Sequence, residues 1–447
     1  MLCAVNDAPV ANGGPRTDTI LPISIHRSGD SRLGDGTRDI AERPSMSFRL
    51  SAIACLLASV ALPASAQTIS KALKAGKPIL ESRLRSETIE QPGLRDADAL
   101  TWRNRIGFET GTFHNLKLLI EAEDVRALRD GYNSNLNGKT AYAVVADPEG
   151  TEINRLQLSW TPTKAVTVTA GRQRISLDDG RFIGNSAWRQ DEQTFDALRA
   201  DVKSGNWSVS YAYISKVNRT VAEAQDWDSD SHVLNIGYAV SPALKVQVFD
   251  YALDFDNAPA NSTLTYGVRV SGEKAVSGAK LAYAGHYATQ SDHGNNPADF
   301  ELSSWAAEGS FTRGPVSLKA GYESLEGNGV RGFIMPAGTA HAFRGWADAF
   351  NTGGNKTLPD GLNDLSLGVT VTGKGWGVLK TPTLAVIHHD FDTDRLSRAV
   401  GKEWDVQATA GLTKQLSLLV KYADFQRADA TMPASRSKLW FGLEYKL

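Results

Sequence analysis

The chain has 447 residues, with 48 Lys and Arg against 50 Asp and Glu and a formal net charge of −2. That balance supplies no global field to draw nucleic acid or an anionic membrane surface. Its two cysteines, Cys3 and Cys55, both sit near the N-terminus, which excludes a disulfide-stapled scaffold for the remainder.

The segment MSFRLSAIACLLASVALPASAQ, opening at Met46, has one basic residue (Arg49), an apolar run from Leu50 to Leu62, and the small-x-small tripeptide Ala64-Ser65-Ala66. This is the anatomy of an export signal, with cleavage expected before Gln67. The run is too short to cross a bilayer as a helix, and no longer one follows. Residues 1–45 read as an N-terminal extension from a mis-assigned start, 46–66 as the signal, and 67–447 as one large domain.

Beyond Gln67 the dominant signal is alternation with period two. Leu80, Ser82, Leu84 and Ser86 oppose Glu81, Arg83, Arg85 and Glu87. Trp102, Ile106 and Phe108 oppose Arg103, Arg105 and Glu109. Leu116, Leu118, Ile120 and Ala122 oppose Lys117, Leu119, Glu121 and Glu123, and Leu156, Leu158 and Trp160 oppose Arg155, Gln157 and Ser159. Similar faces recur at Trp207–Tyr213, Leu264–Val270, Ala279–Tyr287, Val316–Tyr322 and Leu416–Tyr422. The last segment, KLWFGLEYKL, sets Leu439, Phe441, Leu443, Tyr445 and Leu447 against Lys438, Glu444 and Lys446. Ending on such a strand resembles the assembly signal of outer-membrane barrels.

Some eighteen segments, many about ten residues long, match the span of tilted strands crossing a bilayer. Short links (GTFHN, TPTKA, VSPA, TRGP, LTKQ) alternate with long polar ones near 126–152, 175–193, 216–231, 289–303, 325–361, 390–402 and 424–436. A soluble sandwich has no reason to collect its short turns at one end, whereas an outer-membrane barrel does. Trp and Tyr near strand ends fit interfacial girdles. The fold class is therefore all-β: a transmembrane antiparallel β-barrel of about 18 strands, with short periplasmic turns and long extracellular loops.

Three stretches carry a family likeness. LRSETIEQPGLRDADALTWRNRIGFETG, GRQRISLDDGRFIGNSAWRQDEQTFDALR, and HAFRGWADAFN with LPDGLNDLSL together resemble the bacterial alginate-export outer-membrane porin family. The resemblance runs in order over nearly all of residues 67–447. It implies an eighteen-stranded monomeric barrel whose arginine-rich lumen passes an anionic uronic-acid polymer outward. It also implies a basic constriction at Arg83, Arg85, Arg103, Arg105, Arg155, Arg172, Arg174 and Arg189, with Glu81, Glu109, Glu121 and Asp196 as accompanying acids. Lys117, on the charged face of its strand, joins that lining. Strict alternation from Val166 and Val168 sends Arg172 and Arg174 toward lipid, so placing both in the lumen requires a bulge or inward turn near Gly171.

Arginine suits a carboxylated polymer because its planar fork pairs with carboxylate in bidentate fashion and stays charged. Conduction favours many weak sites over one strong site. Other motifs point nowhere sharper. Asp226, Asp228 and Asp230 alternate but lack the Gly and bidentate Glu of a calcium loop, and His388 and His389 face opposite sides of a strand. No metal, cofactor or catalytic residue is expected. The expected partners are an anionic saccharide or polymer, outer-membrane lipid, the barrel-assembly machinery acting on the last strand, and periplasmic export proteins; nucleic acid is not among them. Two alternatives stay open: an uptake porin for small anionic solutes or oligosaccharides, and a soluble periplasmic β-rich saccharide-binding protein. HAFRGWADAF reads as an external loop that folds back over the pore.

Overall fold

Alternation decides the sheet, because side chains two apart share a face and one face of most strands is predominantly apolar. The computed structural model describes residues 66–350 and 357–447. The extension 1–45 and the export signal lie outside the described residues, apart from Ala66, which opens a short helix, α1 (Ala66–Lys74). The strands follow as β1 (Lys77–Glu90), β2 (Ala97–Glu109), β3 (Leu116–Gly131), β4 (Gly150–Thr163), β5 (Val166–Gln173), β6 (Thr194–Ser204), β7 (Trp207–Asn218), β8 (Trp227–Ser241) and β9 (Leu244–Leu253). The second half comprises β10 (Thr263–Val276), β11 (Ala279–Asp292), β12 (Glu301–Arg313), β13 (Val316–Leu325), β14 (Leu362–Thr372), β15 (Lys380–Asp392), β16 (Ala399–Gly411), β17 (Leu416–Arg427) and β18 (Arg436–Lys446).

Each strand pairs antiparallel with its sequence neighbours in one 18-stranded sheet. Pairing of β1 with β18, from Glu81↔Lys446 to Glu90↔Ser437, closes the barrel. The expected count and architecture hold. Leu118, Ile120, Leu156, Leu198, Leu367 and Leu443 are exposed on the outer face, with Trp102, Trp160, Tyr211, Tyr266 and Trp305 among them. Inward positions such as Arg85, Arg103, Glu121 and Glu123 are buried.

Five connections at one end are two residues long (164–165, 205–206, 242–243, 277–278 and 314–315), beside 110–115, 373–379 and 412–415. Longer loops gather at the other end, chiefly 132–149, 174–193 and 326–361. In a barrel of this kind the short-turn end is periplasmic and the loop end extracellular. Strand β3 continues to Gly131, so the polar block at 126–152 is partly strand. Asp124, Arg126 and Thr151 hydrogen-bond to one another on its outer face, which keeps a polar sequence in the ladder.

The longest loops turn inward. Ile175, Leu177 and Ile183 of loop 174–193 pack with Phe195, Phe249, Tyr251, Phe333 and Met335 in one buried cluster. Ala347, Ala349 and Phe350 of loop 326–361 pack with Phe391, Phe425 and Trp440 in another. Apolar loop residues thus occupy part of the lumen toward the loop end, where β6 and β18 begin and β9, β15 and β17 finish. At the short-turn end α1 lies against turn 110–115, where the Gly111 N–H donates to the Ala72 carbonyl at 2.9 Å.

Register between β4 and β5 runs unbroken through Gln157↔Gly171 to Leu156↔Arg172, so no bulge redirects the chain there. Gly171 is nonetheless required. Its φ is +107°, and a Cβ would lie 2.2 Å from the Leu156 carbonyl oxygen. Gly171→Ala is expected to destabilise the refolded barrel by about 1–3 kcal/mol, seen as a lowered urea midpoint in detergent micelles.

Candidate functional site: a basic cavity under two inward loops

Inward positions of β1 and β2 bring four guanidinium groups onto adjacent strands. Arg83 lies directly opposite Arg103 in the ladder, while Glu81 opposes Arg105 and Arg85 opposes Thr101. Like charges directly across a sheet are unfavourable, so this arrangement persists through what surrounds it. Arg103 pairs with Glu81 at 3.3 Å and with Glu444 at 3.2 Å. Arg105 pairs with Glu123, with Glu192 at 3.4 Å and with Glu81 at 3.7 Å. Arg85 pairs with Asp147 and donates to the Trp188 carbonyl.

Arg83 differs from the other three. Although Glu444 is its ladder partner on β18, Arg83 forms no ion pair with it; its guanidinium donates to Gln190 Oε1 at 2.7 Å and to the Ala187 and Arg189 carbonyls. All of those acceptors are neutral. Among the described residues Arg83 is the one arginine of this group with no carboxylate at ion-pair distance.

Below these groups opens a cavity of about 620 Å³. Arg83, Arg85, Arg103, Arg105, Lys380 and Lys446 supply its basic lining, Glu81 and Glu444 its acidic lining, and Ala187 and Trp188 of loop 174–193 its roof. The remaining wall comes from β16, β17 and β18 near the short-turn end.

Charged clips hold the roof. On the wall beneath, Arg155 binds Glu121 through Nε at 2.9 Å and Nη2 at 2.6 Å; the bulge on β4 turns Asn154 and Arg155 both inward, and Asn154 Nδ2 donates to Glu192 Oε1 of the roof at 2.8 Å. Arg174, past the end of β5, pairs with Glu192 and reaches Glu121 at 3.7 Å. Arg189 spans Glu87 and Asp348, each at 3.2 Å. Burial works against ionisation of Asp147, but Arg85 and Arg189 hold its pKa below the usual carboxylate range. Burial likewise opposes the Glu192 carboxylate, yet Arg105 and Arg174 bring its pKa down to about 2.

The second inward loop contains HAFRGWADAF. Its Ala347 N–H donates to Glu403 Oε1 at 2.7 Å, and its Trp346 N–H to Asp405 Oδ2 at 3.1 Å. Asp348 binds Lys438 at 2.7 Å and His341 at 2.9 Å. Lys421 lies 4.1 Å from the Trp188 ring centroid and 3.7 Å from that of Trp346, bonding both inward loops to β17.

The structure places Arg83, Arg85, Arg103, Arg105, Arg155, Arg174, Arg189, Glu81 and Glu121 on the inner side of the wall or against it. Two expected members do not belong there. Arg172 and Asp196 are ladder partners flanked by the inward-facing Gln173–Phe195 pair, so they point outward and bind each other at 2.9 Å. The register that runs unbroken through Gly171 is the reason. Arg174 escapes the same parity because β5 ends at Gln173 and the chain turns into the lumen. Lys117 and Glu109 pair with each other at 3.2 Å at the short-turn end and are substantially exposed, away from the roofed cavity. Sequence reading missed Asp147, Gln190, Glu192 and Lys421. The roles of the first three arise where loops meet the wall, whereas Lys421, like Glu87, Glu123 and Glu444, carried a signal through strand parity.

The alginate-export family model matches residues 81–318, more than half of the chain. The chain belongs to the alginate-export family. No curated protein matches this family member in sequence. Its fold is that of outer-membrane porins of known structure. The BenF-like porin from Pseudomonas fluorescens Pf-5 superposes with a TM-score of 0.66 at 13% identity, covering 84% of this chain and 100% of that one. Pseudomonas aeruginosa OpdO gives 0.65 at 14% identity, covering 85% and 98%. Pseudomonas aeruginosa OpdK, solved with vanillate, gives 0.63 at 14% identity, covering 84% and 99%.

The pKa of Glu192 sets a pH window in this alginate-export barrel. Folding lowers it from 4.5 to about 2, so its stabilisation is complete above about pH 4.5 and is lost as pH falls toward 2. The thermal midpoint of the folded barrel is expected to drop across that interval. Glu192→Gln should start lower at pH 6 and show a flatter profile from pH 4.5 to 2.

Proposed function

We propose that this barrel is an outer-membrane porin for passive passage of an anionic polysaccharide or oligosaccharide, with an alginate-like uronate polymer moving outward as the leading substrate. The observation that carries the reading is Arg83: it faces Arg103 across the ladder, forms no carboxylate ion pair, and looks into a cavity with six basic and two acidic side chains. A passing carboxylate supplies what that group lacks. At about 4 Å such a pair is worth roughly 1–4 kcal/mol for effective dielectrics of 80 to 20, enough to favour anions without trapping them. The acids on Arg85, Arg103 and Arg105 temper the field and hold the forks in place. The cavity lies toward the short-turn end, the side from which an exported polymer would arrive.

Uptake of small anionic solutes is the second reading, favoured by the two inward loops, which leave a roofed cavity better matched to one small carboxylate than to a continuous chain. The structure of OpdK with vanillate is consistent with it. Neither reading assigns catalysis. The apolar outer belt argues against a soluble saccharide-binding protein. Outer-membrane lipid and the assembly machinery acting on β18 are the proposed partners, with a monomer as the working unit and periplasmic export proteins on the short-turn side.

Planar-bilayer recordings test this directly. The wild-type channel should be anion-selective and blocked by uronate oligomers. Arg83→Gln should weaken block about tenfold, or about 1.4 kcal/mol, while Arg172→Gln on the outer face should leave it unchanged. Stronger block by a small aromatic carboxylate than by hexuronate would favour uptake. A cation-selective channel indifferent to both solutes would overturn both readings.

A further inference from the structure

The bulge at Asn154 resets the β3–β4 ladder so that Glu123 and Glu152 become direct cross-strand partners on the inner face. Two carboxylates placed opposite each other repel. Loop 174–193 adds a third, Asp191, and one oxygen from each of the three lies within 4.8 Å of the others. Glu123 and Asp191 are only 2% and 6% exposed. Within them, Glu123 Oε1 and Asp191 Oδ1 are buried with no hydrogen-bond partner among the described residues. Arg105 engages Glu123 through Oε2, leaving Oε1 free.

Ionised carboxylates are acceptors only, so neighbouring buried carboxylate oxygens do not satisfy one another. Arg105, already shared with Glu81 and Glu192, is the one cation at ion-pair distance from the triad among the described residues, so Glu152 and Asp191 bring excess negative charge into a largely buried site. Some positive species, a metal ion or a shared proton, has to relieve the site.

We propose that Glu123, Glu152 and Asp191 bind a divalent cation of the calcium type, which clips loop 174–193 to the barrel wall. The donor set is all carboxylate oxygen, the preference of a hard cation, and calcium's bonds of about 2.3–2.6 Å allow opposite donors to stand roughly 5 Å apart. The clip has a defined consequence. Asp191 lies between Gln190, which accepts from Arg83, and Glu192, which binds Arg105 and Arg174. Fixing Asp191 therefore fixes the roof of the basic cavity. The inference is independent of which solute passes.

The experiment uses the full chain refolded into lipopolysaccharide-free detergent and stripped with EGTA. Calcium titration by calorimetry should show one ion bound per chain, with a rise in thermal midpoint. Asp191→Asn should weaken that binding at least tenfold. Asp228→Asn, an exposed acid on the outer face, should bind like wild type. Should Asp191→Asn fail to fold, Glu152→Gln, at the more exposed corner of the triad, provides the same readout. Indistinguishable stripped and calcium-loaded proteins would mean that a proton fills the site and would overturn the proposal, as would unchanged binding in the triad variants. Anion selectivity measured on the same samples separates this outcome from failure of the porin reading, which predicts nothing about calcium.

Discussion

Closure of β1 onto β18 is the constraint on which the rest depends. In hydrocarbon every backbone N–H and C=O must find a partner within the protein, and an open sheet edge leaves a row of them unpaired. The ladder from Glu81↔Lys446 to Glu90↔Ser437 removes that edge. It also creates an inside. Once the sheet is closed, every second side chain faces an enclosed space, and polar residues distant in sequence become neighbours. Glu444, three residues from the C-terminus, reaches Arg103 only because the ring closes.

The enclosed space is governed by charge pairing, and the pairs act more as positioning devices than as sources of stability. Taking ions from water costs several kcal/mol each, which excellent geometry only offsets. What the pairs provide is location. Arg85 with Asp147, Arg105 with Glu192, and Arg189 with Glu87 and Asp348 fix where the inward loops sit. Apolar packing then seats the loops above the cavity, with Phe182 against Phe249 and Phe350 against Phe391. Removing one partner would strand a buried charge, so the loops are bound to the wall by a set of mutual dependencies. Arg83 stands apart because its acceptors are carbonyl and amide oxygens, leaving its charge uncancelled at the edge of the cavity.

Strand parity explains both what was legible and what was not. Arg83, Arg85, Arg103 and Arg105 were readable because they alternate with Leu84, Trp102 and Ile106 along uninterrupted strands. Arg172 and Asp196 share the family pattern yet face outward, because parity at Gly171 is set by hydrogen-bond register and not by motif. Arg174, two residues later, faces inward because its strand has ended. Asn154 shows the reverse: a single bulged residue leaves Arg155 inward and makes Glu152 the partner of Glu123, a shift no alternation pattern reveals.

The amino-acid sequence by itself determined the barrel, its strand number, the end at which long loops gather, and the inward face of each regular strand. Those follow from period-two burial and from turn length, both local properties of the chain. Only the tertiary structure decided how far the loops enter the lumen, which of the four β1–β2 arginines has no carboxylate at ion-pair distance among the described residues, and that Asp191 joins Glu123 and Glu152. These depend on side chains tens to hundreds of residues apart meeting in a space that exists only after the sheet has closed.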